Sequence, residues 1–404
     1  MSEIITAIDV GTTKICTFIA ESTPEGRLRL LGAGCTRSEG LRKGIVVNVS
    51  AATQAISDSI AKAEQMAGVT VQSAFVGIVG GHIKSQNGLG TVTIPRGRSI
   101  TRQDIDRALD AARAIPLPPD REIIHTIARN FTIDQQEGVN EPIGMHGYRL
   151  EVNAHIITGA TTAIKNLVDC VQNNGVTVAE LVLEPLASGE AVLTQDERDM
   201  GVVVADVGGG TTDIAIYLDG SVWHTVVLEI GGDNLTRDLA MGLRTPYDTA
   251  ENLKLRYGHA LPEWVAEDEV ISASAFGDAQ SQAISRRFIA EILEARSEEV
   301  LLYILQEIRR SGYDGLLPAG VVLTGGSAQL PGMIDLGRQV FRSPVRVGAP
   351  NGIGNVQRKW LKPENACGFG LLLWAQRSDP YESTRRSSQW TSRFGELFRN
   401  LLPK

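Results

Sequence analysis

Residues 206–213 read Asp-Val-Gly-Gly-Gly-Thr-Thr-Asp, and residues 9–14 read Asp-Val-Gly-Thr-Thr-Lys, a shorter copy of the same pattern. Each copy follows one apolar run and precedes another, which predicts two strands joined by a tight turn. Glycine in such a turn lets backbone N–H groups approach a phosphate, and each leading aspartate can hold Mg²⁺ through water. The repeat therefore predicts two hairpin tips that clamp a nucleoside triphosphate between duplicated lobes.

Length and composition limit the classes of protein to which the chain can belong. Its 404 residues allow two core-bearing domains or one two-lobed unit with insertions. The net charge of −8 argues against a nucleic-acid partner, and no apolar run reaches the roughly 18 residues that cross a bilayer. The first residues enter a strand pattern directly, so we expect no secretory signal. We expect the four cysteines, which form no C-x-x-C pair, to be buried thiols of a reducing cytoplasm: Cys16, Cys35, Cys170 and Cys367.

Short apolar strands alternate with helical stretches, which predicts a layered α/β fold. Residues 50–67 should form a helix with Ser50 as its N-cap. Strand-like pieces around one helix that begins at Thr101 suggest a small α/β insertion at 82–158. Residues 280–310 form a long amphipathic run within a helix-rich part of the second lobe. The polar residues 377–389 predict a structureless linker.

Two further glycine motifs strengthen the nucleotide interpretation. Gly325-Gly326-Ser327 follows a strand, and Gly231-Gly232-Asp233 precedes a helix. One Asp-x-Gly-Thr turn alone is more often an ordinary hairpin, but the joint pattern favours phosphate and adenosine binding. The order of these motifs resembles the actin and DnaK-type ATPase superfamily. The resemblance implies a two-lobed actin-like fold built from a duplicated ribonuclease-H-like unit, which binds ATP with Mg²⁺.

The resemblance also implies roles for individual residues. The first phosphate motif would be Asp9, Gly11, Thr12, Thr13 and Lys14, and the second Asp206, Gly208, Gly209, Gly210 and Thr211. The adenosine side would comprise Gly231, Gly232, Asp233, Glu251, Lys254, Gly325, Gly326 and Ser327. Asp9 and Asp206 would hold the metal, and Glu184 and Asp206 would orient metal and water. Glu251 and Lys254 could alternatively be a surface ion pair at helical spacing.

The sequence contains no nucleophile with an adjacent base, no metal-ligand spacing among its histidines, and no Walker motif. No residue identifies itself as the group that activates water. We therefore expect nucleotide binding with at most weak ATPase activity.

The last residues, 390–404, predict a second functional element. At 100° per residue, six apolar side chains fall within about 140° of arc and Arg393 and Arg399 flank them. The six are Trp390, Phe394, Leu397, Phe398, Leu401 and Leu402. Residues 385–404 carry a net charge of +4, against −12 for the remainder. These features favour a helix that lies in an anionic membrane interface; the alternative is a terminal helix docked on the protein's own core.

This body and tail together resemble the FtsA family of bacterial cell-division proteins. The similarity includes residues 41–46 (Leu-Arg-Lys-Gly-Ile-Val), 120–125 (Asp-Arg-Glu-Ile-Ile-His) and 230–236 (Ile-Gly-Gly-Asp-Asn-Leu-Thr). It implies a protein that polymerises into protofilaments and anchors FtsZ to the cytoplasmic face of the inner membrane at the septum. It also implies recruitment of later division proteins through the insertion.

The resemblance divides the chain into named parts. These are subdomain 1A at 1–81 and 159–194, the inserted subdomain 1C at 82–158, subdomain 2A at 195–233 and 315–357, subdomain 2B at 234–314, a return helix at 358–377, a flexible linker at 378–389 and the membrane helix at 390–404. On subdomain 2B, Arg286, Arg287 and Arg296 are candidates to receive the acidic C-terminal peptide of FtsZ. The alternative is that these arginines form a solvated helix face.

Three other functions fit parts of the pattern. A type IV pilus-assembly adaptor shares the actin-like body and a small insertion, but would not be expected to end in such a helix. A sugar kinase would need a sugar-binding domain and a catalytic base. A chaperone would need a peptide-binding domain after the ATPase.

Overall fold

The computed structural model describes residues 3–23, 26–274, 281–377 and 382–384. The first elements are β1 (Glu3–Val10), β2 (Lys14–Ser22), β3 (Leu28–Arg37), β4 (Leu41–Arg42), β5 (Ile45–Val46), α1 (Val49–Ala67), β6 (Ser73–Ile78), β7 (Lys84–Thr93), α2 (Arg102–Ala112), β8 (Arg121–Ile133), β9 (Gln136–Val139) and β10 (Arg149–Ala160). Next come α3 (Thr161–Gln172), β11 (Thr177–Leu183), α4 (Glu184–Val192), α5 (Gln195–Met200), β12 (Val202–Val207), β13 (Thr212–Leu218), β14 (Ser221–Leu228), α6 (Gly232–Gly242) and α7 (Tyr247–Tyr257). The last are β15 (Val270–Ser274), β16 (Ser281–Ser285), α8 (Arg286–Ser311), β17 (Val321–Thr324), α9 (Met333–Phe341), β18 (Val345–Val347), β19 (Ile353–Gly354), α10 (Ala366–Gln376) and β20 (Glu382–Thr384).

The first lobe is built on a sheet of order β11-β6-β1-β2-β3-β19. Strand β1 runs antiparallel to β2 and parallel to β6. Helix α1 packs against this sheet and buries one side, including Ile56 and Ile60. Its N-cap is Asn48, whose side chain accepts a hydrogen bond from the Ala51 N–H, so the prediction of Ser50 as N-cap is wrong. Gly68 ends the helix in the left-handed conformation that glycine favours.

The second lobe repeats this arrangement. Its sheet has the order β14-β13-β12-β17-β18, with β12 antiparallel to β13 and parallel to β17. Strands β12 and β1 therefore occupy equivalent central positions, and both end at one of the two predicted tips. The α/β fold with duplicated lobes is confirmed.

A helix-rich part extends the second lobe and has its own apolar core around Leu239, Leu253, Ile289 and Leu293. Here the predicted continuous run at 280–310 is wrong at its start. Residues 281–285 form strand β16, paired with β15, and α8 begins only at Arg286. The backbone groups of residues 281–285 form hydrogen bonds with the neighbouring strand β15. A search for helical periodicity in the sequence does not reveal such pairing.

The insertion is a separate small unit with a sheet of order β20-β8-β10-β7, to which β9 adds by pairing with β8. Helix α2 covers one face and buries Ile105 and Leu109 in a core shared with Phe131 and Ile156. The edge strand β20 pairs with residues 125–127 of β8. The prediction of a structureless linker is therefore wrong at 382–384, and its residues 378–381 and 385–389 lie outside the described part of the chain.

The insertion also contacts the second lobe. The guanidinium of Arg129 lies 3.8 Å from the ring centroid of Trp223 and donates a hydrogen bond to the Tyr313 hydroxyl at 3.0 Å. Buried His155 lies 3.0 Å from the Thr225 hydroxyl. Strand β14, which carries Trp223 and Thr225, therefore links the insertion to the lobe opposite the one in whose sequence it is inserted.

The cysteines differ in part from the prediction. Cys16 and Cys35 occupy opposite positions on β2 and β3 and form a disulfide. The expectation of free thiols is wrong for this pair, because strand register brings together residues that are 19 positions apart. Cys170 and Cys367 are free and buried, as predicted.

Asp104 organises the start of α2. Its buried carboxylate accepts hydrogen bonds from the backbone N–H and the hydroxyl of Thr101, at 2.9 and 2.7 Å. Arg98 donates two more, at 2.5 and 2.8 Å, and Arg107 forms a further ion pair. Hydrogen bonds from Arg98 are the main reason that the pKa of Asp104 lies far below its ordinary value. This carboxylate combines a capping box with a charge-assisted network.

Asp104→Asn should lower the free energy of unfolding at pH 7 by about 1 kcal/mol, the scale of a capping interaction. The folded state depresses the pKa of Asp104. Its stabilisation is therefore present above pH ~4, the ordinary aspartate value, and lost as the pH falls below it. Urea unfolding at several pH values checks this. Asp106→Asn removes the exposed pair with Arg102 on the same helix and should cost less than about 0.5 kcal/mol. If Asp104→Asn lowers the free energy of unfolding by the same amount at every pH, the stabilisation does not come from the ionised carboxylate of Asp104.

Candidate functional site

The two predicted hairpin tips have the same local geometry and face each other. In the first, the Gly11 N–H donates to the Lys14 carbonyl at 3.1 Å, and in the second the Gly208 N–H donates to the Thr211 carbonyl at 3.0 Å. The tips are so close that a Cβ placed on Gly210 would lie 2.8 Å from the Thr12 side chain. Each tip is the turn of an antiparallel hairpin at the centre of its lobe. The two lobes therefore place equivalent turns side by side.

A cavity of about 530 Å³ lies between the lobes beside these tips, within the range of small-molecule sites. Most of the predicted site residues line it: Asp9, Gly11, Thr12, Thr13, Lys14, Glu184, Asp206, Gly208, Gly209, Thr211, Gly232, Asp233, Glu251, Lys254, Gly325, Gly326 and Ser327. Gly210 and Gly231 are not among the lining residues. Gly210 packs against the first tip, and a Cβ on Gly231 would lie 2.6 Å from the Gly209 carbonyl oxygen. Both glycines permit close packing behind the cavity wall, Gly210 against the Thr12 side chain and Gly231 against the backbone of the second tip.

Four carboxylates are buried at the base of the cavity. Asp9 and Asp206 lie near the ends of the equivalent strands β1 and β12, Asp213 lies on β13, and Glu184 opens α4. Burial raises the pKa of Asp206 to about 6, although a hydrogen bond from Ser188 at 2.5 Å opposes the shift. Burial raises the pKa of Glu184 and of Asp213 well above the ordinary value, and nearby acids add to both shifts. The pKa of Asp9 also rises through burial, with Lys14 opposing it.

This acidic group fits a divalent cation. Within the described residues, Glu184 Oε1 and Asp213 Oδ1 are buried without a hydrogen-bond partner, which is costly unless something else satisfies them. Carboxylate oxygens are the ligands that Mg²⁺ prefers, usually together with water and substrate phosphates. These carboxylate oxygens are therefore suited to a hard cation that lies between the tips of the two lobes.

Lys14 supplies a buried positive charge beside this group. Its ammonium donates to the Asn365 side-chain oxygen at 2.6 Å. Burial lowers the pKa of Lys14, while the neighbouring carboxylate of Asp9 opposes the shift. Asn365 was not among the predicted site residues, since nothing in the sequence relates a residue 351 positions away to the first tip.

A close helix crossing brings two more groups to the cavity. Helices α4 and α10 approach so tightly that a Cβ on Gly370 would lie 1.7 Å from the Ala187 carbonyl oxygen. The first turns of these helices carry Glu184 and Cys367, and a ligand atom of each side chain lies within 4.8 Å of the Asp9 carboxylate. Sequence reasoning missed Cys367 and also Asp213. The latter could have been found, because it closes the second glycine-rich motif.

The predicted adenosine side lies on the second lobe. Lys254 and Glu251 of α7 form an ion pair at 2.7 Å, and Lys254 also donates to the Gly232 carbonyl at 3.1 Å. Both residues line the cavity, and the ion pair at helical spacing that was the alternative is also present; their role in adenosine binding stays a prediction. Gly325, at φ +83°, lies against the second tip, where a Cβ would be 2.3 Å from Asp206 Oδ1.

The three arginines predicted to receive a partner peptide are all engaged within the chain. Arg286 pairs with Glu269 at 2.8 Å, Arg287 with Glu267 at 2.5 Å, and Arg296 with Asp238 at 2.5 Å. Each guanidinium thus has a carboxylate partner within the chain, and an acidic peptide would have to compete with it. Their role in peptide binding stays a prediction.

The predicted membrane residues lie outside the described residues: Trp390, Arg393, Phe394, Leu397, Phe398, Arg399, Leu401 and Leu402. In the described part of the chain, no helix combines the length and apolar character that crossing a bilayer would require.

Comparison with known proteins identifies the family. A family model described as cell division protein FtsA matches residues 203–370, and one described as the SHS2 domain inserted in FTSA matches residues 80–158. The cell division protein FtsA of Pseudomonas aeruginosa is 42% identical over 392 residues, which cover 96% of this chain and 94% of that protein. The chain belongs to the FtsA family. It is a cell-division protein with an actin-like fold.

Other FtsA relatives agree with this assignment. FtsA of Bacillus subtilis is 35% identical, covering 93% of this chain and 84% of that protein, and FtsA of Escherichia coli is 33% identical, covering 93% and 91%. The matched SHS2 segment, 80–158, compares with the insertion expected at 82–158.

Solved structures with the same fold are distant in sequence. A chain of the PilM-PilN type IV pilus biogenesis complex aligns with a TM-score of 0.65 at 16% identity, covering 92% of this chain and 98% of that one. MreB5 of Spiroplasma citri bound to ADP aligns at 0.54 and 13% identity, covering 91% and 94%. These likenesses show the actin-like fold of the FtsA chain, while the family rests on the closer relatives.

Gly325→Ala should lower the free energy of unfolding by about 1–3 kcal/mol, since the new methyl group meets Asp206 and the backbone at a positive φ. Gly326→Ala is the matched control, because its Cβ would meet nothing nearer than Glu364 Cβ at 4.0 Å; its stability should stay within about 0.5 kcal/mol of the wild type. Urea unfolding of both variants tests this. Equal destabilisation would show that the site does not depend on the Gly325 conformation.

Proposed function

We propose that this FtsA-family protein binds ATP with Mg²⁺ in the cavity between its lobes. The observation that carries the proposal is the pair of abutting hairpin tips with four buried carboxylates beneath them. Tip residues with their backbone N–H groups line the cavity together with Lys14, and such groups suit phosphate oxygens. Asp9 and Asp206 would hold Mg²⁺, and Glu184 would orient it and its water. A bound cation would satisfy the buried oxygens of Glu184 and Asp213 that have no other described partner. The ADP in MreB5 occupies a protein of the same fold.

Asp206→Ala should raise the dissociation constant for ATP–Mg²⁺ at least about tenfold, because the metal loses a buried ligand. Isothermal titration calorimetry with and without EDTA distinguishes a metal role from a packing role. Chelation should weaken ATP binding to the wild type but have little further effect on Asp206→Ala. Asp196→Ala, an exposed position on α5 of the same lobe, is the matched control. A variant that binds ATP–Mg²⁺ as the wild type does would overturn the assignment of the second tip.

We also propose that the protein tethers the division ring to the inner membrane. The amphipathic pattern of residues 390–404 and their basic charge support this part. Six partly immersed apolar side chains gain roughly 5–10 kcal/mol gross, and each basic residue near anionic lipid about 1 more, but ordering the helix offsets much of this. A single chain would therefore bind reversibly. Polymerisation would present several tails together and bind far more firmly.

The proposed partner on the other side of the tether is the C-terminal peptide of FtsZ. Subdomain 2B would receive it, with Arg286, Arg287 and Arg296 exchanging their internal carboxylates for those of the peptide. The insertion would recruit later division proteins. A pilus adaptor function has the fold in its favour but not the FtsA-family relatives, which are 33–42% identical.

A co-sedimentation assay tests the tether as a whole. Labelled C-terminal peptide from the organism's own FtsZ should sediment with anionic vesicles only when the full chain is present, and deletion of 390–404 should abolish this while ATP binding persists. Phe398→Glu should lower vesicle affinity at least about tenfold, because one buried Phe contributes about 1.5–3 kcal/mol. Asn400→Glu adds the same charge on the polar side of the predicted helix and should have the smaller effect. Undiminished sedimentation after the deletion would refute the membrane role.

A further inference from the structure

Cys367 is a buried thiol that the nucleotide proposal does not use. It lies in the first turn of α10, is 5% exposed and lines the cavity. Its sulfur meets the carboxylates of Asp9 and Glu184, with one ligand atom from each of the three residues within 4.8 Å of the others. Among the residues that the structure describes, this is the one group of three such side chains so arranged.

A second observation points to a ligand at this position. Glu184 is 7% exposed, and its Oε1 has no hydrogen-bond partner among the described residues. This oxygen and the Cys367 sulfur both lie 3.4 Å from the point that a Cβ on Gly77 would occupy, so both lie beside the same residue of β6. Glycine at this position lets both side chains pack closely against strand β6. A polar atom with no partner and a thiol thus share one small buried volume.

The chemistry of these donors differs from that of a pure carboxylate site. Mg²⁺ takes oxygen ligands in near-octahedral geometry, whereas Zn²⁺ accepts thiolate and carboxylate ligands in tetrahedral geometry. Around a tetrahedral Zn²⁺, with sulfur at about 2.3 Å and oxygen at about 2.0 Å, ligand atoms lie roughly 3.5 Å apart. The ligand atoms of the three residues now lie up to 4.8 Å apart. They would therefore have to move about an ångström closer to one another to bind Zn²⁺, which rotation of the side chains can provide. Three protein ligands and one water complete an open zinc site.

We propose that Cys367, Asp9 and Glu184 form a binding site for a thiophilic divalent cation such as Zn²⁺. This site overlaps the metal position of the nucleotide cleft. On binding, the thiol S–H bond is replaced by a sulfur–metal bond and the proton passes to solvent. Asp9 and Glu184 cannot serve this cation and the nucleotide's Mg²⁺ together. The thiophilic cation therefore displaces Mg²⁺ from the cleft, a consequence that rests on the proposed function.

The test is a titration of the full chain with Cd²⁺ in the absence of nucleotide, followed through the ultraviolet thiolate-to-cadmium charge-transfer band. The wild type should give a saturable band that Zn²⁺ competes away and Mg²⁺ does not. Cys367→Ser should lose this component, and Asp9→Asn should lower Cd²⁺ affinity at least about tenfold. Cys170→Ser, which removes the other buried free thiol, is the matched control and should keep the band. Because no nucleotide is present, this result does not depend on ATP binding.

Two outcomes would overturn the proposal: no saturable band in the wild type, or the same band in Cys367→Ser. If that variant does not fold, alkylation of the wild type replaces it. Peptide mass mapping should then show that Cd²⁺ protects Cys367 and that EDTA reverses the protection; modification at an unchanged rate refutes the site. A separate arm adds Zn²⁺ to wild type loaded with ATP–Mg²⁺. Release of Mg²⁺ supports mutual exclusion of the two cations. Simultaneous binding of Zn²⁺ and Mg²⁺ overturns the overlap, while the cadmium titration still reports on the site itself.

Discussion

Four buried carboxylates, brought together from both lobes, impose the main physical constraint on this molecule. An ion removed from water costs several kcal/mol unless it is paired, and Lys14 is the buried ammonium group beside Asp9 and Asp206. The pKa values of Glu184 and Asp213 are raised because several buried acids share few buried positive charges. Without a cation nearby, each of these carboxyl groups binds a proton more readily. The cleft is thus suited to a ligand that carries a cation, and both lobes are needed to form it.

Glycine makes this convergence possible at a few close approaches. Gly370 allows α10 to contact the Ala187 carbonyl of α4, which sets Cys367 and Glu184 beside Asp9. Gly210 lets the second tip pack directly against Thr12 of the first. A side chain at Gly370 would force two helix backbones apart, and one at Gly210 would clash with the Thr12 side chain. The position of the acidic group therefore depends on these close approaches as well as on the acids themselves.

The insertion packs against the second lobe through a strand that lies next to the cleft. It has its own apolar core, yet Arg129 and His155 contact the second lobe through β14. Strand β14 is hydrogen-bonded to β13, which carries Asp213 and begins just after the second tip. Strand β14 therefore contacts both the hairpin of the second tip and the insertion.

The sequence by itself determined the duplicated hairpins, the inserted unit and most of the cleft residues, because each has a local pattern. Glycine-rich turns between apolar runs, as at 9–14 and 206–213, are set by neighbours in the chain. The tertiary structure decided the rest. Asn365 and Cys367 reach the cleft through the crossing of two helices, the Cys16–Cys35 disulfide follows from strand register, and β20 exists only by pairing with β8. No periodicity encodes these contacts, because they join residues that are distant in sequence and their geometry is set by packing.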